Sequence, residues 1–133
     1  MSSWPRTATC KRRARYRQAE ELARELHEWE RLTAMLNNRA YSEYISGEYS
    51  TAGQVARRMQ DHAAARGFDL DASALDTIGA ILIANGEYVK AGQAMHLCIA
   101  RCKSTGANDA DEMAEYLLTL ARASVDSARP SGP

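Results

Sequence analysis

Proline is missing from residues 6–129; Pro5, Pro130 and Pro133 are the only three. A chain without internal proline keeps every helical amide available, so nothing of that kind interrupts a helix. Phenylalanine occurs once, at Phe68, while alanine is abundant. That composition favours helices over sheets. Cysteine is scarce and odd in number, with Cys10, Cys98 and Cys102. An odd count with two thiols on one apolar helical face builds no disulfide framework and reads as a reduced, cytoplasmic protein. No apolar run approaches the roughly 20 residues of a membrane span. The basic N-terminus is followed by acids and arginines, so no signal peptide is expected. No glycine-rich phosphate loop follows a strand, because no strand is expected.

What remains is an ordinary globular composition, 45% hydrophobic and 26% charged over 133 residues. That length fits one domain with a real core. The formal net charge is zero, yet the charge is lopsided. Arg6, Lys11, Arg12, Arg13, Arg15 and Arg17 stand in the first 17 residues with no acid, leaving 11 basic against 17 acidic residues elsewhere. A basic arm on an acidic body is an asymmetry that proteins facing nucleic acid or assembling with others show.

Periodicity predicts an all-α fold, a compact bundle of about five helices. Residues 1–8 read as a disordered basic arm, 9–125 as a single helical domain and 126–133 as a disordered tail. A long first helix runs from about Thr9 to Asn37-Asn38, with Tyr16, Ala19, Leu22, Ala23, Leu26, Trp29, Leu32 and Leu36 on one face. Glu20, Arg24 and Glu28 form favourable i,i+4 pairs on its other side. Between Arg39 and Ser50 only a short turn is expected, broken by Gly47. A helix over Thr51–Arg66 opens on a Thr51/Gln54 capping box, buries Val55, Met59 and Ala63, and closes at Gly67. The last helix runs from about Asp109 to Ser124, capped by Asn108, with Met113, Tyr116, Leu117 and Leu120 on its apolar face.

The most strongly patterned stretch is Leu75–Cys102. It reads as two helices folded back at Asn85-Gly86, with Asp71 or Ser73 as cap and Ser73/Asp76 as an approximate capping box. Gly86 takes the left-handed conformation at the helix end. Tyr88, Ala91, Met95, Cys98 and Cys102 share a face, and Ala91 and Gly92 are small enough for close approach of the partner backbone. A turn this short implies antiparallel packing. Leu75, Ile78-Gly79, Leu82, Gly86, Tyr88, Ala91, Met95 and Cys98 resemble one tetratricopeptide-like unit, with Leu75 in place of the usual tryptophan and Lys103 in place of the closing proline. Stepping about 34 residues either way reaches Tyr41 and Asp109, where the pattern fails, so no second copy is expected. The resemblance implies helix-pair packing and, through it, docking of a peptide or partner helix.

The candidate chemistry is cationic. Lys11, Arg12, Arg13, Arg15 and Arg17 suit backbone phosphates, with Tyr16 available to stack on a base; the alternative is a solvated terminus or an acidic partner. Arg57, Arg58 and Arg66, and Arg101 and Lys103 with Lys90, extend the same surface along two further helices. Tyr41, Tyr44 and Tyr49 with Arg39 make a stacking platform or, as tyrosines in a connector more often do, a cover for the core. Cys98 and Cys102 fill apolar space, since His96 points away from them and a zinc site wants four converging ligands. His27-Glu28 opens like a zincin helix, but Arg31 stands where its second histidine belongs. His62 beside Asp61 has no nucleophile at a recognisable spacing, and the acids from Asp109 to Glu115 lack the pattern of a calcium loop. No catalytic residue, metal or cofactor is expected, and no membrane contact.

Size, all-helical build and scattered arginines resemble the small helical subunits of class 1 CRISPR effector complexes. That resemblance implies a non-catalytic subunit that binds RNA or single-stranded DNA through arginines beside other protein subunits, with self-association as a further option. The alternatives are a tetratricopeptide-like adaptor for protein partners and a helix-turn-helix DNA regulator built on Thr51–Leu82.

Overall fold

The computed structural model describes residues 6–106 and 110–128. Among them every regular element is a helix, six in all, and there is no strand. These are α1 (Arg6–Glu25), α2 (Trp29–Ile45), α3 (Tyr49–Arg66), α4 (Ala72–Ala84), α5 (Tyr88–Ser104) and α6 (Ala110–Ala128). Residues 6–8 and 126–128, expected to flank the helical domain, are helical. Asn108 and Asp109, the expected cap of the last helix, lie outside the described residues, as do 1–5 and 129–133.

The sixth helix arises because the expected long first helix breaks. At His27 the backbone turns left-handed, φ 54°, the one such non-glycine among the described residues. The Glu28 amide donates to the Ala23 carbonyl at 2.8 Å and the His27 amide to that of Arg24 at 3.1 Å, which closes α1 in a Schellman turn. His27 then stacks on Trp29, ring centroids 5.2 Å apart and 15° from parallel. Asn37-Asn38, read as the end of that helix, sits inside α2, which continues to Ile45.

The same turn recurs after α2 and α4. Gly47 and Gly86 both have φ 80°. The amides of Glu48 and Glu87 reach back to the carbonyls of Glu43 and Leu82, at 2.9 and 2.8 Å. Glu28, Glu48 and Glu87 each start the next helix with φ between −85° and −95° and ψ between 66° and 69°. No side chain caps any of the three, so Thr51 lies within α3 and makes no capping box. At α4 the cap is Asp71, whose carboxylate accepts the Ala74 amide at 2.8 Å; Ser73 and Asp76 are helical.

These turns expose a repeat that stepping by about 34 residues misses. Gly47–Gln54 reads GEYSTAGQ and Gly86–Gln93 reads GEYVKAGQ, 39 positions apart. At that offset Leu36 corresponds to Leu75, Ala40 to Gly79 and Ala52 to Ala91, all of them buried. Two helical hairpins, α2–α3 and α4–α5, therefore follow one plan. The extra length lies in the connection Gly67–Asp71, which joins them.

Helices α2, α4 and α6 touch in succession, while α1, α3 and α5 lean on that row without backbone contact among themselves. The core between the rows holds Leu32, Leu36, Met59, Ile78, Ile81, Met95 and Cys98. The tightest crossing is α4 on α5. A Cβ at Gly79 would run into the Met95 sulfur and lie 3.0 Å from its Cγ, whereas Gly92 faces open space. Of the small residues expected to let these helices approach, Gly79 and Ala91 do so and Gly92 does not. On α6, Tyr116 is buried and Met113 and Leu120 are half-buried, but Leu117 is exposed.

Candidate functional site

Spacing α1, α3 and α5 apart leaves two grooves in that layer, one over α2 and one over α4. The first is filled by charge. Arg39, buried on α2, donates through Nη1 to both carboxylate oxygens of Glu20 on α1, at 3.0 and 3.3 Å. Arg58 on α3 donates through Nη2 to Glu20 Oε2 at 3.2 Å. Arg13 on α1 grips Glu43 on α2 with two hydrogen bonds of 3.0 Å. Glu20 was expected on the exposed side of a helix, paired with Arg24. It is instead 3% exposed and holds three helices together. Such a bidentate, buried arrangement fixes geometry because a lone buried charge is costly.

The second groove occupies the equivalent place in the second hairpin, and there the chemistry is inverted. At the 39-residue offset Arg39 becomes Ile78, Glu43 becomes Leu82 and Arg58 becomes Leu97. No ion pair bridges α3 to α5 among the described residues. What results is an open channel of two adjoining hollows, about 340 and 420 Å³, both lined by Arg57, Gln60, Ile78, Leu82 and Glu87. Leu75, Ala94 and Leu97 continue the apolar lining, and Leu97 is 45% exposed. Gln54, Asn85, Lys90 and Gln93 supply a polar rim. Lys90 lies 3.5 Å from Glu87, leaving Arg57 as the rim cation with no ion pair among the described residues.

The ten cations expected to form one surface divide. Arg13 and Arg58 are tied into the filled groove. Arg66 lies 3.8 Å over the Trp29 ring, in a cluster with His27, His62 and Phe68. Arg101 donates to the Leu70 carbonyl and lies 3.4 Å from Asp69, anchoring the connection between hairpins. These four act within the fold. Lys11, Arg12, Arg15 and Arg17 are exposed on α1, Arg57 on the open groove and Lys103 near the end of α5. Arg39 is buried away from the tyrosines it was grouped with. Tyr41, Tyr44 and Tyr49 do adjoin, with centroids 6.2 and 5.8 Å apart; Tyr44 is half-buried against the core, and Tyr41 and Tyr49 are exposed.

Where α4, α5 and α6 meet, acids and a thiol face one another. Burial raises the Asp76 carboxyl above its usual 3.8, with Glu115 and Glu112 adding to the rise and a hydrogen bond to Thr119 opposing it. Its Oδ1 is buried without a hydrogen-bond partner among the described residues. The Cys98 thiol donates to the Ala72 carbonyl at 3.2 Å and is pushed up to about 12, mainly by burial and then by Asp76. A thiol held protonated is a poor nucleophile and a poor metal ligand. Tyr116 hydrogen-bonds Glu112, and burial raises its hydroxyl above the ordinary range. Among the described residues no three His, Cys, Asp or Glu side chains gather to hold a metal ion. No helix there is long and apolar enough to cross a membrane.

No protein family, curated protein or solved structure matches the chain.

Proposed function

We propose that the chain is a non-catalytic helical-repeat adaptor that docks an amphipathic protein segment in the groove between α3 and α5. The observation that supports this reading is the inversion between the two hairpins. One groove is filled by three ion pairs from the chain's own side chains, one of which, Arg58–Glu20, crosses it, while its equivalent carries an apolar floor and stands open. A concave apolar surface ringed by a few polar groups is the usual form of a binding site. A helix or extended peptide would set apolar side chains against Leu75, Leu82 and Leu97 and offer a carboxylate to Arg57. The recurring GEY-x-x-A-G-Q segment supports the helical-repeat reading, in which the tetratricopeptide-like pair α4–α5 has a counterpart in α2–α3.

Panning a displayed library of 16-residue peptides on the intact protein tests the proposal. Enriched peptides should combine acidic residues with apolar ones about one helical turn apart. They should lose binding to Arg57→Glu and Leu97→Glu and retain it to Arg15→Glu. No enrichment, or binding indifferent to both groove substitutions, would overturn the reading.

A second reading keeps the nucleic-acid expectation but moves it to α1 alone. It rests on Lys11, Arg15 and Arg17 being exposed there, whereas Arg13, Arg58, Arg66 and Arg101 are engaged within the fold. Binding to a labelled single strand that weakens steeply with salt, and with a shallower slope in a Lys11/Arg15/Arg17→Ala variant, would support it. Arg13 is left intact in that variant because it holds Glu43.

A further inference from the structure

α6 carries apolar residues on two sides. Its inner side buries Tyr116 and Ala123 and half-buries Met113 and Leu120. Its outer side bears Ala114, Leu118, Ala121 and Val125, spaced four, three and four residues apart, with Leu117 alongside. All five are exposed, Leu118 by 63%, Val125 by 60% and Leu117 by 48%. That spacing is the seam of a helix that packs on another helix. No element among the described residues covers it, since α6 contacts α4 and α5 on its inner side only.

Charge beside the seam identifies the occupant. Glu115 and Arg122 lie on the same flank, about 20° apart around the helix at 100° per residue, and both are exposed with no ion pair among the described residues. When two copies of α6 lie antiparallel with Leu118 of each opposite Ala121 of the other, a twofold axis runs between these positions. That axis keeps each flank on the same side of the interface. Glu115 of one copy then falls within about 3 Å, along the axis, of the partner copy's Arg122, and the contact occurs twice. The seam is therefore complementary to itself in both apolarity and charge, as an isologous interface must be.

We infer that the chain pairs with a second copy of itself through the outer face of α6, antiparallel, with reciprocal Glu115–Arg122 ion pairs. This face is distinct from the α3–α5 groove, so each arm of the proposal stands without the other.

Sedimentation equilibrium over a concentration series tests it. The intact chain should show a monomer–dimer equilibrium. Leu118→Lys with Val125→Lys should give a monomer whose helical circular dichroism is unchanged. Glu115→Arg alone and Arg122→Glu alone should each weaken pairing by about tenfold, since like charges then meet twice. Mixing those two variants should restore pairing, because every cross-copy contact again joins opposite charges. A monomer at every concentration would overturn the inference. So would dimers indifferent to the charge substitutions, or open-ended growth with concentration, which is the mark of a head-to-tail contact.

Discussion

Two glycines one helix apart illustrate how much a single Cβ decides. Gly79 sits where α4 presses on Met95, so Gly79→Ala should destabilise the fold by about 1–3 kcal/mol through overpacking. Gly92 has open space around it, so Gly92→Ala should stabilise α5 by up to about 1 kcal/mol. Urea unfolding of both variants checks the pair. Asp76 tests the electrostatics of the α4–α6 contact. Its folded pKa is raised, so the folded state favours the protonated carboxyl; stability from this group is full below the unfolded value near 3.8 and is lost as pH rises through the folded value. Asp76→Asn, which cannot ionise, should therefore raise the melting temperature at pH 7, and the gain should shrink as the pH falls towards 4. A gain that does not vary with pH would show that charge at this position is not the cause.

Hairpin chemistry is decided at the level of the element. In the first groove Glu20 faces two guanidinium groups, one of them on the buried Arg39. Glu20→Gln leaves those charges uncompensated and should cost about 3–5 kcal/mol. The α3, α4 and α5 helices suggest the repair, because Met59, Ile78, Leu82 and Leu97 stand 39 positions beyond Glu20, Arg39, Glu43 and Arg58. Changing those four to Met, Ile, Leu and Leu together should recover most of the loss, since apolar replacement of a buried ionic cluster is often neutral or better. Thermal unfolding of the single and quadruple variants measures both effects. Sequence periodicity showed the helices and the α4–α5 hairpin because their stripes are regular and Gly86 closes the turn. It passed over the α1–α2 turn because His27 takes the left-handed conformation in place of a glycine, steadied by its stack on Trp29. It missed the α2–α3 hairpin because Asn37-Asn38 looks like a helix end, and because the connection at Gly67–Asp71 stretches the repeat beyond the usual period.

For the whole molecule, the cations were legible as residues but not as a surface. A sequence does not show which arginine meets a carboxylate from another helix, as Arg58 meets Glu20 across 38 positions. Nor does hydropathy distinguish a leucine that closes a core from one that lines an open channel, as Leu75 and Leu97 do together. Once the internal pairs are set aside, the exposed cations separate into Arg57 at the edge of an apolar channel, a group on α1 and Lys103 near the end of α5. The most direct measurement is an amide NMR titration of the labelled chain with the best peptide from the panning experiment. Shifts concentrated at Gln54, Arg57, Gln60, Gln93 and Leu97 are the predicted result. Shifts confined to Lys11–Arg17, or to α2 and α6, would contradict the placement of the site between α3 and α5.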